Sequence, residues 1–155
     1  MRSRTTGFTL LELLAVLVIL SLVAAFVVPS LGGGRIVELK SAARSLASGL
    51  RQARNSALNE NRSAALALDV EKHEFQLPGE SRVRKLPGRV EIALYTARSE
   101  QLSDRRGAIR FFPDGSSTGG RITLSSDSLS YLVDVDWLTG RVNVIESVPD
   151  KAIGQ

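Results

Sequence analysis

Gly7-Phe8-Thr9-Leu10-Leu11-Glu12, followed by an apolar run that continues to Val28, decides how the chain is read. Fifteen of the 21 residues from Phe8 to Val28 are Phe, Leu, Ile or Val, and three more are Ala. As a helix the run reaches about 31 Å at roughly 1.5 Å per residue, about the thickness of a bilayer's hydrocarbon core. It contains one charge, Glu12. An acidic residue costs roughly 2.5–3.5 kcal/mol at the centre of an inserted helix and less near its end, whereas each Leu, Ile, Phe or Val contributes about −0.3 to −0.6 kcal/mol. The apolar residues outweigh one carboxylate, so the segment is expected to insert. Insertion does not need Glu12, which marks the carboxylate as functional and calls for a cationic partner. Arg2 and Arg4 precede the run. By the positive-inside rule they keep that end cytoplasmic and send the rest of the chain across the membrane.

Pro29 and Gly32-Gly33-Gly34 follow the span. Proline removes a backbone donor and glycine weakens a helix, so a kink or a melted stretch is expected here rather than a domain boundary. From Arg35 a second helical pattern begins. Ile36, Leu39, Ala43, Leu46, Leu50, Ala53 and Ala57 recur at spacings of three and four and form one apolar stripe. Ser41, Ser45, Ser48, Gln52 and Asn55 fall on the other side, and the helix is expected to end between Asn59 and Asn61. One long helix thus has an apolar half for lipid and an amphipathic half for a domain.

The remainder reads as strands. Ala64 to Val70, Glu74 to Leu77, Arg89 to Tyr95, Ala108 to Phe112, Arg121 to Ser125, Ser130 to Asp136 and Arg141 to Ile145 carry the pattern, with Arg82 to Leu86 as a short edge strand. Pro78-Gly79, Pro87-Gly88, Pro113-Asp114-Gly115 and Thr139-Gly140 are turns, the last closing a hairpin. Thr96 to Gly107 is polar and reads as a mobile loop, and the tail from Glu146 to Gln155 has little pattern. A sheet packed on the amphipathic helix makes an α+β domain. The chain has 155 residues and no cysteine, so an exported domain must fold on its core without disulfides. A formal net charge of +4 is mild and does not by itself point to a polyanionic partner.

Candidate chemistry is sparse. Gly115-Ser116-Ser117-Thr118-Gly119 matches the G-x-S-x-G pattern, but no helix is expected after it. The single histidine, His73, precedes it, against the usual hydrolase order, so the stretch reads as a glycine-rich hairpin and His73 as a turn residue near the surface. Asp134 and Asp136 share a strand face without an oxygen-rich loop around them, which favours a solvated face over a calcium site. Lys40, Arg44, Arg51 and Arg54 form a basic stripe beside the apolar one. Either it binds nucleic acid, or its long stems cover the edge of the core and its charges meet acidic neighbours, and the second reading is preferred.

The basic leader ending in Gly7, then Phe8-Thr9-Leu10-Leu11-Glu12 and the apolar run, resembles the class III signal of type IV pilins and type II secretion pseudopilins. The stretch Phe111-Phe112-Pro113-Asp114-Gly115-Ser116-Ser117-Thr118-Gly119-Gly120-Arg121-Ile122, with the later Gly140-Arg141-Val142, resembles the H-type minor pseudopilins of that secretion pathway. The resemblance implies a type IV pilin-like fold, with a leader at 1–7, a transmembrane and assembly helix at 8–31 and a periplasmic domain at 32–155. That domain divides into an amphipathic helix at 35–60, a β-rich part at 63–146 and a tail at 147–155. It also implies cleavage after Gly7 by a prepilin peptidase, methylation of Phe8, and pairing of Glu12 with the N-terminal ammonium of a neighbouring subunit. Pro29 falls where many members carry a helix-disturbing proline. The implied function is a non-enzymatic minor subunit of the type II secretion pseudopilus, without cofactor or metal. It would be held in the bacterial inner membrane and partnered by other major and minor pseudopilins and by the inner-membrane assembly platform. Two alternatives stand beside it. One is a minor pilin of a type IV pilus or DNA-uptake machine, against which the lack of cysteine leans. The other is a soluble periplasmic enzyme behind an ordinary signal peptide cut near Val23-Ala24-Ala25.

Overall fold

The computed structural model describes residues 9–126 and 129–147, without the side chains of 23–33. Gly7, Phe8 and the tail beyond Ser147 therefore lie outside the described residues. A single helix, α1, runs Leu10–Asn59. It carries on through Pro29 and Gly32-Gly33-Gly34, so the expected melted stretch is absent. One missing donor costs less than the row of backbone bonds that a break would release, most of all where water is scarce. The helix stops where Asn61 takes a left-handed conformation (φ 50°). Contacts separate residues up to Gly34 from those from Arg35 onward.

In the first unit, the described side chains from Thr9 to Leu22 are all exposed. Among the described residues no helix is long and apolar enough to cross a membrane, and the expected span, Phe8 to Val28, reaches beyond the described side chains.

In the second unit, α1 buries Leu39, Ala42, Ala43, Leu46, Ala47, Leu50, Ala53 and Ala57. Ala42 and Ala47 join the expected stripe. Ile36 leaves it, 53% exposed, because it lies before the first buried position, Leu39. Alternating leucines with alanines lets the helix approach closely. At Gly49 a methyl group would already press on Leu66 and Phe75 at 3.0 Å.

The expected single sheet is two, both antiparallel. One has five strands, in the order β3 (Val83–Lys85), β2 (Glu74–Gln76), β1 (Ala64–Asp69), β6 (Arg106–Phe111) and β5 (Gln101–Ser103). The other has four, in the order β4 (Glu91–Thr96), β7 (Gly120–Ser126), β8 (Leu129–Val135) and β9 (Val142–Ser147). Their inner faces, including Leu66, Phe75, Ile109, Phe111, Ile122, Leu124 and Val133, form one apolar cluster with the helix stripe. Alternation of buried and less buried positions along β1, and along β8 from Tyr131 onward, is the period-2 pattern of strands with one buried face.

Two further expectations are corrected. Thr96 to Gly107 is built, with Thr96 buried at the end of β4, a 3-10 turn at Arg98–Glu100 and the short strand β5. β9 also runs on to Ser147, because its register with β8 extends to the pair Ser130–Ser147.

Candidate assembly surfaces

Helix α1 begins on a side-chain cap. The Glu12 N–H donates to Thr9 Oγ1 at 3.2 Å and to the Thr9 carbonyl at 3.1 Å. Thr9 therefore satisfies an otherwise orphaned donor and orients the first turn. Thr9-Leu10-Leu11-Glu12 is the T-x-x-E pattern of a capping box, a signal from which Thr9's role was readable. Glu12 lies in the first turn, where its negative charge is favoured by the helix dipole. Leu10 and Leu11, both in this turn, are 85% and 79% exposed.

The basic stripe divides. Arg51 Nη2 donates to the Val142 carbonyl and Arg54 Nη2 to the Thr139 carbonyl, each at 3.1 Å, so both hold the β8–β9 hairpin against the helix. Arg54 Nε is buried without a hydrogen-bond partner. Gly140 makes this approach possible. Its φ is 61°, and a methyl group there would collide with the Gly115 carbonyl and reach Arg54 Nε at 2.9 Å. The turn before it is set by Asp136, whose carboxylate accepts from Thr139 N–H (2.8 Å), Thr139 Oγ1 (2.8 Å) and Leu138 N–H (3.1 Å). These bonds, those of Thr139 first, hold Asp136 below the usual carboxylate range.

The 115–119 stretch is a turn. Gly115 and Gly119 have φ of 86° and 71°, and strand β7 follows directly. Asp114 accepts from Ser116 Oγ at 2.6 Å and from Ser116 N–H at 2.9 Å, and the hydroxyl bond in particular lowers its pKa. His73 sits in the β1–β2 turn at φ 53°, and its Nε2 is 2.9 Å from the Val90 carbonyl. Asp134 is paired by Arg121 at 2.9 Å, which raises the Arg121 pKa, while Asp136 lies in the turn beyond β8. The two carboxylates thus serve separate local partners. Among the described residues no group of His, Asp and Glu is placed to hold a metal ion.

Two features were missed in the sequence. Glu100, in the stretch expected to be mobile, is buried and accepts from Arg110 Nε at 2.8 Å and Nη2 at 3.2 Å. That hydrogen-bonded pairing raises the Arg110 pKa. A lone Glu in a polar run carries no local sign of a partner ten residues on. Second, Tyr95 and Trp137, 79% and 66% exposed, flank a cleft of about 750 Å³.

A capped apolar helix whose continuation packs on a two-sheet domain defines a type IV pilin-like subunit. Residues 2–28 match the prokaryotic N-terminal methylation motif, and residues 42–139 match the family described as type II transport protein GspH. The chain belongs to that family. It is 34% identical over 142 residues to the type II secretion system protein H of Xanthomonas campestris pv. campestris, covering 91% of this chain and 83% of that protein. Its fold is similar to that of the type IV minor pilin FimU of Pseudomonas aeruginosa, with a TM-score of 0.58, 14% identity, and 75% and 96% of the two chains covered. It is also similar to that of the minor pseudopilin EpsH from the type 2 secretion system of Vibrio cholerae, with a TM-score of 0.54, 12% identity, and 74% and 99% covered. The protein is a minor pseudopilin of the type II secretion pathway, and the methylation motif together with that family implies a membrane-anchored pseudopilus.

Proposed function

We infer that the chain is built into the periplasmic pseudopilus that helps export folded proteins across the outer membrane, and that it performs no chemistry of its own. The observation that carries this reading is the match to the GspH family over the domain, joined in one chain to the methylation motif at the start of α1. The proposed layout is a leader at 1–7, an assembly helix at 8–31 and a periplasmic domain at 32–155, with the N-terminus cytoplasmic. A prepilin peptidase cuts after Gly7 and methylates Phe8. The inner-membrane assembly platform then moves the subunit into a fibre of major and minor pseudopilins.

Glu12 supplies register in this scheme. In the bilayer an unpaired carboxylate is costly, and the ammonium of a neighbouring subunit relieves that cost only when the two helices are correctly offset. Pro29 gives the helix a point of bending between its lipid-facing and domain-facing halves. The test is Glu12→Ala in a strain lacking the native chain. Cleavage after Gly7 should proceed, while incorporation into the pseudopilus and secretion fall. Normal secretion by Glu12→Ala would remove the pairing role.

A further inference from the structure

Each sheet has two margins, and they are not alike. β3 and β5 are three residues long, whereas β4 and β9 have six. A short margin offers little backbone to an incoming chain, and β3 also carries Arg84 and Lys85 between Pro78 and Pro87. β4 is turned towards the other sheet. Its Thr96 Oγ1 donates to the Ala108 carbonyl at 2.6 Å, and a methyl group at Gly107 would press on Leu94 and Thr96. β9 remains as a long margin, and no described strand pairs with its outer side.

Two hydrogen bonds orient its backbone. The Arg141 carbonyl accepts from Asp136 N–H at 3.0 Å, on the β8 side, and the Val142 carbonyl accepts from Arg51 on the opposite side. Direction alternates along a strand, so Asn143 and Ile145 serve the ladder with Asp134 and Leu132, while Val144 and Glu146 turn their N–H and C=O outward. Val144 and Ile145, on opposite faces of this margin, are 37% and 49% exposed. The helix beside it carries the basic stripe. Arg44 is close enough to act electrostatically on Tyr131, whose hydroxyl donates to Glu146 at 2.9 Å. None of the ion pairs among the described residues uses Lys40, Arg44, Arg51, Arg54 or Arg141.

We propose that β9 receives an extended segment from a neighbouring pseudopilin, which adds a strand to the outer margin of the β4-β7-β8-β9 sheet. The main chain of the segment pairs with Val144 and Glu146. Its alternate side chains are apolar and cover Val144 and Ile145, and its carboxylates meet the arginines of α1. Main-chain pairing supplies the affinity, and the alternation with charge selects the partner. The proposal rests on the pseudopilus reading and names one contact within it.

The experiment places the photoreactive residue p-benzoylphenylalanine at Val144 or Ile145, with Arg84 on β3 as control, in the full chain expressed with the rest of its secretion system. Cross-links from 144 and 145 to another pseudopilin are expected, mapping by mass spectrometry to a segment that contains Asp or Glu, with little yield from 84. Val144→Pro deletes an outward N–H and spares the ladder to β8. It should lower the yield from 145 roughly tenfold, whereas Val144→Thr, which keeps the N–H, should not. Equal yields from 84 and 144, cross-links confined to residues 148–155 of the same chain, or an unchanged yield in Val144→Pro would overturn the proposal. Should Val144→Pro lose protease resistance, Arg44→Glu replaces it. A fall of about fivefold or more is expected there, and an unchanged yield overturns the charge match and the proposal with it. A chain that is methylated and supports secretion but gives no β9 cross-link refutes this contact alone. A chain that is neither methylated nor active in secretion refutes the pseudopilus reading itself.

Discussion

Two stretches of α1 use the same residue types to opposite ends. From Leu10 to Leu22 every described side chain is exposed, with Leu13, Leu17 and Leu20 each at 58%. From Leu39 to Ala57 the leucines at 39, 46 and 50 have no exposure at all. The second stretch finds its apolar partner in its own chain, through the sheet residues of the common core. The first leaves its described side chains exposed. A helix that is apolar all round is stable only where water is absent. One half of the helix therefore folds with the domain, and the other is proposed above as the assembly element.

Core substitutions should break this contrast most strongly. Leu50→Asp should leave the domain unfolded, because a carboxylate there has no partner in the apolar cluster. Leu46→Ala should cost about 2–5 kcal/mol, and Leu17→Ala, in the exposed stretch, no more than about 0.5 kcal/mol of domain stability. Urea melts of the detergent-solubilised full chain, followed by Trp137 fluorescence, measure both. Equal effects at 46 and 17 would erase the distinction.

Next is Gly140→Ala, which places a methyl group against the Gly115 carbonyl at positive φ. A loss of about 1–3 kcal/mol is expected in the same melts, with the β8–β9 amides exchanging faster than those of α1. Glu100→Gln should cost less, about 1–2 kcal/mol, since Arg110 remains partly exposed and can hydrate once its partner is neutral. Its effect should appear as faster proteolysis between Arg98 and Arg106.

The smallest effect concerns pH. Asp114 and Asp136 are held below the usual carboxylate range by bonds from Ser116 and Thr139 in the folded state. As pH falls, the unfolded chain takes up these protons first. The stability they provide is therefore complete above about pH 4 and is lost as pH drops through the lower folded values. Asp136→Asn should lower stability modestly at neutral pH and flatten the acid limb, so that the two stability curves converge at low pH. An acid limb as steep as that of the wild type would contradict the role given to the turn.

Both stretches of α1 were legible because period and composition are local. An unbroken apolar run and a three-and-four spacing need no knowledge of the rest of the fold. The strands were legible for the same reason, from alternation and from turn residues such as Thr139-Gly140. Whatever depends on distant partners was not. The division into two sheets follows from register, not from any one strand. The order of residues 98–103 depends on Glu100 finding Arg110, and the tie between α1 and the last hairpin depends on Arg51 and Arg54 reaching carbonyls at 142 and 139. Thr9 stands apart. Its T-x-x-E spacing was local and was overshadowed by the apolar run behind it.

The central claim is that the first stretch of α1 is a processed assembly helix. Intact and N-terminal peptide mass spectrometry of the protein from its native membrane fraction tests it most directly. The account predicts a chain that begins at N-methylated Phe8. A chain that keeps Met1 to Gly7, or a soluble one that begins near Phe26, would contradict it.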